Sequence, residues 1–303
     1  MLKWRVISAT IILAILFGLL HLDFYNPLGA PGIWLFPLIV VAAGLIVQEL
    51  LDFWRTRDTR PAAWSVYLGT FVVIVASCVP MFAAVVHAAG TRPPLLTPLG
   101  WTWLGFIVAL GIVVFGEMLR YPSGPQPTTA FALGLLAVSY AGVLPSFLVH
   151  LRLWHDARCG MGALISLILI VKASDTGAYF TGRAIGRHKL APKLSPGKTI
   201  EGLGGGLVAA VAAAWISYFW LLPQLVHCET KTGQGGRWAL FAVLVTLVGV
   251  LGDLTESLLK RDAGRKDSSR WLPGLGGILD IFDSILFAAP VAYFCWQLGL
   301  IGG

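Results

Sequence analysis

Residues 64–87 read WSVYLGTFVVIVASCVPMFAAVVH and contain no Asp, Glu, Lys or Arg. A helix that crosses a bilayer needs about 20 mainly apolar residues, so this stretch predicts one complete span. Eight further stretches are also mainly apolar and about 20 residues long, and they lie at residues 5–22, 32–50, 99–119, 128–150, 160–180, 202–222, 238–256 and 278–299. The chain is therefore predicted to be an all-α, polytopic membrane helix bundle of about nine transmembrane helices. The first stretch, in which Lys3 and Arg5 precede a short apolar core, is also compatible with a cleaved signal peptide.

The composition of the chain excludes a soluble globular domain. Of its 303 residues, 57% are hydrophobic and only 12% are charged, whereas soluble domains carry about 25% charged residues. A disordered chain is excluded as well, because disorder requires low hydrophobicity and high charge. In a membrane protein, the net charge of +7 is typical of basic cytoplasmic loops and not of nucleic-acid binding.

The positions of Lys and Arg predict the orientation of the helices. With the N-terminus inside, the cytoplasmic segments hold 16 basic residues and the outside loops hold 5. Cytoplasmic loops of membrane proteins carry the excess of Lys and Arg. We therefore predict a cytoplasmic N-terminus and an outside C-terminus.

Charged residues are unevenly distributed along the chain. Residues 1–158 carry few of them, mostly at helix ends, and are predicted to form a scaffold that contacts lipid. Residues 159–303 hold two dense groups, which we call the first cluster (174–202) and the second cluster (252–284). Both fall on the predicted cytoplasmic side. The four cysteines are scattered without a CxxC pair, so we predict apolar helix residues and no disulfide framework.

The first cluster is strongly basic. From Ala178 to Gly202 it holds five bases and one acid, and its glycines and prolines predict a loop. Ser195, Lys198 and Thr199 flank a turn that leads into an apolar helix. Basic side chains beside the free N–H groups of a helix start form an anion site. A loop that merely orients its helices is an equally good interpretation of this spacing.

The second cluster mixes six acids with five bases, which a pure orientation loop does not need. Asp253, Glu256 and Lys260 recur at helical spacing, and so do Asp280 and Asp283. The last two lie inside the start of an apolar helix, where carboxylates are costly unless they are paired or bind a cation. Oxygen ligands on two facing helices suit Mg²⁺ held together with the phosphates of a substrate. The alternative is a solvated loop with surface ion pairs.

The motifs of both clusters resemble the signature of the phosphatidate cytidylyltransferase (CDP-diacylglycerol synthase) family. That signature runs S-x-x-K-R, K-D, P-G-H-G-G and D-R-x-D, and its matches here are Ser257-x-x-Lys260-Arg261, Lys266-Asp267, Pro273-Gly274-Leu275-Gly276-Gly277 and Asp280-Ile281-x-Asp283. Upstream, S-D-T-x-A-Y and S-P-x-K-T-x-E-G match at residues 174–179 and 195–202. Two positions depart from the pattern, because Leu275 replaces the family His and Ile281 replaces the family Arg.

The resemblance implies a bacterial inner-membrane enzyme of phospholipid biosynthesis that converts CTP and phosphatidate into CDP-diacylglycerol and pyrophosphate. It implies Mg²⁺, or another divalent cation, held by Asp253, Asp280 and Asp283. These three aspartates, together with Lys266 and Asp267, are the implied catalytic residues. The implied substrate-binding residues are Lys193, Ser195, Lys198, Thr199, Ser257, Lys260 and Arg261. The implied partners are membrane lipid and a second copy of the chain in a homodimer, without nucleic acid.

Three other functions share parts of this pattern. A CTP-dependent lipid kinase of the polyprenol or phytol type combines membrane helices with phosphate chemistry. An anion transporter would also need basic residues, although transporters place their charges near the midplane and not at one face. A non-catalytic relative is the third alternative, because of Leu275 and Ile281.

Overall fold

The computed structural model describes residues 2–25, 30–55, 59–86, 96–121, 126–265, 267–269 and 276–302. At residues 2–9 and 83–86 the description covers the backbone alone.

The described chain is almost entirely helical. Its helices are α1 (Leu2–Tyr25), α2 (Phe36–Phe53), α3 (Ala63–Val86), α4 (Pro98–Arg120), α5 (Pro127–Val138), α6 (Leu144–Arg152), α7 (Ala157–Ile185), α8 (Ile200–Ile216), α9 (Gly235–Asp262) and α10 (Leu279–Gln297). Within the described residues, eight helical stretches are long and apolar enough to cross a membrane, and they match the eight predicted spans from 32–50 onward. The first predicted span lies in α1, whose shorter apolar part is Thr10–Tyr25. The predicted polytopic helix bundle is confirmed.

Two of these spans contain π-helical segments. Ser139–Val143 joins α5 to α6, and Ser217–Val226 continues α8. The second segment contains Pro223, which has no N–H to donate and interrupts the regular hydrogen-bond pattern. A local π-helical adjustment keeps backbone groups bonded within the segment, as an apolar surrounding requires.

The chain divides into two compact units. The first unit comprises Met1–His150 and Asp267–Ile281, and the second comprises Leu151–Lys266 and Phe282–Gly303. The predicted functional division at residue 158 stays a prediction. The sequence did not indicate that the loop before α10 belongs with the first unit.

In the first unit, α3 and α4 approach each other along small residues. A Cβ placed on Gly105 would collide with Ala76, and one placed on Gly116 would collide with Ser65. Small residues allow this close backbone approach, which is how helices commonly associate in membranes.

In the second unit, α7 and α8 are equally close. A Cβ on Gly177 would collide with Ala209, and one on Gly205 would collide with Thr181. Gly202, Gly205 and Gly206, at the start of α8, therefore serve helix packing.

The first cluster is not a loop throughout, which corrects the prediction. Helix α7 continues to Ile185, and a short antiparallel hairpin follows, formed by β1 (Lys189–Ala191) and β2 (Ser195–Thr199). Gly182 lies within the helix, where its missing side chain leaves room for the hydroxyl of Thr199. Gly182, which was predicted to break the helix, therefore serves packing against Thr199.

The prediction that the cysteines form no disulfide is also wrong. Cys159, in the first turn of α7, forms a disulfide with Cys228, which follows the second π-helical segment. The two residues are 69 positions apart, so their spacing carries no local signal. Cys78 and Cys295 are free and buried.

Candidate functional site

Three carboxylates converge in the second unit. Asp253 and Glu256 lie on α9, Asp283 lies on α10, and one oxygen from each lies within 4.8 Å of the others. Glu256 is 1% exposed and Asp283 is 7% exposed. Gly252 permits this approach, because a Cβ there would collide with the backbone of Asp283 and with Phe287. We call these three residues the acidic triad.

Two lysines neutralise part of the acidic triad. The Nζ atom of Lys198, on β2, lies 2.6 Å from Oδ2 of Asp253. The Nζ atom of Lys260, one turn along α9, lies 2.9 Å from an oxygen of Glu256. Both lysines are mostly shielded from solvent. The arrangement thus holds two ammonium groups beside three carboxylates. The ammonium groups attract an anionic ligand, and the carboxylates attract its counter-ion.

A second pair on α7 adds to these charges. The Nζ atom of Lys172 donates to Oδ2 of Asp175 at 3.4 Å. Asp175 also interacts electrostatically with Asp253 and Lys198. Its position within an apolar span was the sequence signal for a functional role, although Asp175 was not among the predicted site residues. Glu256 was missed in the same way, despite its helical spacing from Asp253.

The hairpin is fixed at both of its ends. Glu201, in the first turn of α8, accepts hydrogen bonds from the backbone N–H groups of Arg187 and His188, and its Oε1 lies 2.6 Å from Nδ1 of His188. Thr199 caps α8 by accepting a hydrogen bond from the N–H of Gly202 at 3.0 Å. These contacts hold β2 beside the start of α8.

The remaining predicted substrate-binding residues in the second unit surround this hairpin and α9. Arg261 donates from Nε to the carbonyl of Leu194 at 3.3 Å. Lys193 is exposed and Ser195 is half-buried. Ser257 lies one turn from Asp253, with its hydroxyl 3.5 Å from Oδ1 of that residue.

Asp280 belongs to the first unit, where its Oδ2 is surrounded by donors. It accepts from the N–H of Ser268 at 3.1 Å, from the hydroxyl of Ser268 at 2.7 Å and from the N–H of Gly277 at 2.8 Å. Asp267 is exposed. Lys266 and Leu275 lie outside the described residues. The structure thus brings Asp253 and Asp283 together, and it places Asp280 against the loop that precedes α10.

A sequence model of the cytidylyltransferase family matches residues 3–298. The chain belongs to this cytidylyltransferase family. The match extends beyond both clusters and includes the first half of the chain, where the sequence had shown only hydropathy.

Curated relatives agree with this family assignment. A phosphatidate cytidylyltransferase from Haemophilus influenzae is 35% identical over 97% of this chain and 98% of its own length. The enzyme of the same name from Pseudomonas aeruginosa is 34% identical over 99% and 98%. That from Synechocystis is 31% identical over 96% and 94%. Each cytidylyltransferase is matched along nearly its whole length.

Proposed function

We propose that this protein is a phosphatidate cytidylyltransferase that makes CDP-diacylglycerol and pyrophosphate from CTP and phosphatidate. The observation that carries the proposal is the near-complete match to curated relatives of that name. The chemistry of the acidic triad and its lysines supports it, because two anionic substrates can meet only where their charges are neutralised. The enzyme acts in phospholipid biosynthesis.

The reaction makes one bond and breaks one. A phosphate oxygen of phosphatidate bonds to the α-phosphorus of CTP, and the bond from that phosphorus to its β-bridging oxygen breaks. Pyrophosphate leaves with the electron pair of the broken bond. Because the attacking phosphate is already anionic, the reaction needs no strong general base. The protein must instead orient the two phosphates and shield their repulsion.

The acidic triad fits a divalent cation such as Mg²⁺. Its donors are carboxylate oxygens, which are the ligands that Mg²⁺ prefers, and they approach from two helices. Asp253 and Asp283 would hold the ion, with Glu256 beside them. Asp280 stays a predicted ligand. Bound there, the ion would neutralise charge on the phosphate oxygens of the substrates.

The basic residues have a complementary role. Lys198 and Lys260 already lie at the carboxylates, so each ammonium can turn to a phosphate oxygen when a substrate and its cation arrive. Arg261 and the predicted residue Lys266 would extend this positive surface. The hydroxyls of Ser195, Thr199 and Ser257 would donate to phosphate oxygens, and Lys193 would add charge at the hairpin turn. Lys266 and Asp267 are the remaining proposed catalytic residues.

We further propose that the N-terminus and both clusters face the cytoplasm of a bacterium, at the inner membrane. The ratio of 16 inside to 5 outside basic residues supports this orientation. The disulfide supports it independently, because Cys159 and Cys228 both fall in predicted outside segments, and disulfides persist in oxidising compartments. A homodimer, and the absence of nucleic-acid binding, belong to the same proposal.

One assay tests the function. The purified protein in detergent is incubated with labelled CTP, Mg²⁺ and phosphatidate, and the lipid and nucleotide products are separated. We expect a labelled CDP-lipid and pyrophosphate. Formation of CDP and a phosphorylated alcohol from a polyprenol or phytol substrate would identify the lipid kinase instead. Failure to form product with either substrate would contradict the enzyme assignment.

A further inference from the structure

The first unit contains a buried glutamate that binds the loop before α10. Glu49 lies near the end of α2 and is 2% exposed. A carboxylate in such a place is costly unless donors surround it. Here Oε1 accepts from the hydroxyl of Ser269 at 2.8 Å and from the N–H of Ile278 at 2.9 Å. Oε2 accepts from the hydroxyl of Ser268 at 2.9 Å and from the N–H of Leu279 at 2.9 Å.

Two of these donors are the backbone groups at the start of α10. The first N–H groups of a helix have no partner within the helix, and a side chain normally supplies one from the same turn. In this protein the acceptor for the N–H of Leu279 is the carboxylate of Glu49, which lies 230 positions earlier in the chain. A negative charge at this end of a helix is also electrostatically favourable.

Glu49 is connected to Asp280 through a single hydroxyl. The Oγ atom of Ser268 lies 2.9 Å from Oε2 of Glu49 and 2.7 Å from Oδ2 of Asp280. Gly277 fits between these groups only because it lacks a side chain, since a Cβ there would collide with Ser268 and Glu49. The backbone around Asp280 therefore packs against Glu49.

We infer that Glu49 is a positioning residue for the transfer reaction. It holds Ser268, Ser269 and the first turn of α10, and thereby fixes the place of Asp280. This inference rests on the proposed function for the role of Asp280. It assigns a positioning role to the first half of the chain, which composition alone had indicated to be a scaffold.

The variant Glu49→Gln tests this inference, because its amide NH₂ would face donors that now meet a carboxylate oxygen. A misplacement of about 1 Å can cost about a hundredfold in rate, so we expect kcat to fall at least about tenfold while KM for CTP changes by less than about threefold. The matched control is Glu117→Gln. Glu117 is also a buried glutamate of the first unit, but it accepts from Ala62. We expect that variant to keep kcat within about threefold of wild type, because it leaves the groups around Asp280 in place.

A second measurement separates positioning from general stability. Amide hydrogen exchange in Glu49→Gln should accelerate in residues 267–269 and 276–281 and stay at the wild-type rate in α3 and α4. Equal kcat in the Glu49 and Glu117 variants, or unchanged exchange in residues 267–269 and 276–281, would overturn the inference.

A milder variant covers the case in which Glu49→Gln does not fold. Ser269→Ala removes one donor to Glu49, so it should lower kcat and loosen the same segment. The inference is wrong if Ser269→Ala retains wild-type kcat and exchange. If the wild type makes no CDP-lipid, the proposed function fails, while the exchange experiment still tests whether Glu49 holds the loop.

Discussion

Lys198 and Asp253 form an ion pair between the two motif clusters, with Nζ of the lysine 2.6 Å from Oδ2 of the aspartate. The two residues are 55 positions apart in the sequence, Lys198 in the first cluster and Asp253 in the second. Their contact brings the first cluster and the α9 part of the second cluster into one charged site within the second unit.

Lys198→Ala should therefore impair the use of CTP. The substitution removes the ammonium that lies at Asp253 and leaves a partly shielded carboxylate in its place. We expect kcat/KM for CTP to fall at least about tenfold, or about 1.4 kcal/mol of transition-state stabilisation. Steady-state kinetics with varied CTP would measure it. Lys189→Ala is the control, because Lys189 is an exposed residue of the same hairpin. Unchanged kcat and KM in Lys198→Ala would exclude a phosphate-binding role.

Asp283→Asn should abolish most of the activity at every Mg²⁺ concentration. The amide keeps the size of the side chain but removes the charge that a divalent ion requires, so a loss of at least about a hundredfold is expected. Stabilisation by Mg²⁺ in thermal melts should also disappear, which is a readout that does not depend on turnover. Asp262→Asn, at the exposed end of α9, should retain both properties. Recovery of normal turnover at high Mg²⁺ would contradict the assignment of Asp283.

Gly277→Ala should damage the loop before α10. The added methyl group would collide with Ser268 and Glu49, and overpacking of this kind costs about 1–3 kcal/mol. The melting temperature in detergent and the rate of CDP-lipid formation should both fall. The contrasting substitution is Gly204→Ala, in α8, where a Cβ meets nothing within 4 Å and alanine favours the helix by about 0.5–1 kcal/mol. If both variants melt at the wild-type temperature, the crowding at Gly277 has been misjudged.

Single-cysteine labelling should report the orientation. Arg265 and Lys231 are both exposed, and the charge distribution places Arg265 inside and Lys231 outside. In intact cells, a membrane-impermeant maleimide should label Lys231→Cys but not Arg265→Cys. After the inner membrane is permeabilised, the maleimide should also label Arg265→Cys. The reverse pattern would invert the proposed orientation.

Leu275→His restores the family residue and should change activity by less than about tenfold, or roughly 1.4 kcal/mol. The reason is chemical, because an anionic phosphate nucleophile has little need of a proton carrier. Activity of both forms in the CDP-lipid assay checks this expectation. An inactive wild type that gains activity from Leu275→His and Ile281→Arg would show that the two departures had disabled the site.

Hydropathy predicted the spans well, because the bilayer imposes length and apolarity on each helix separately. The convergence of Asp253 and Asp283 was also predictable, since each lies among charges at helical spacing inside an apolar helix. The contact between Glu49 and Ser268 was not predictable, because the two are 219 residues apart and hydropathy does not specify which helices meet. The continuation of α7 to Ile185 was missed because Gly182, which packs against Thr199, cannot be told by residue type from a glycine that ends a helix.

The bond between Cys159 and Cys228 also bears on how the protein is made. On the proposed orientation, its two sulfur atoms both lie on the oxidising side only after α7 and α8 have been inserted. The disulfide then marks a chain in which α7 and α8 have crossed the membrane, and it can form only where a thiol oxidase serves the outer face. Cells without such an oxidase would accumulate the dithiol form, which a shift in non-reducing electrophoresis would distinguish from the mature protein.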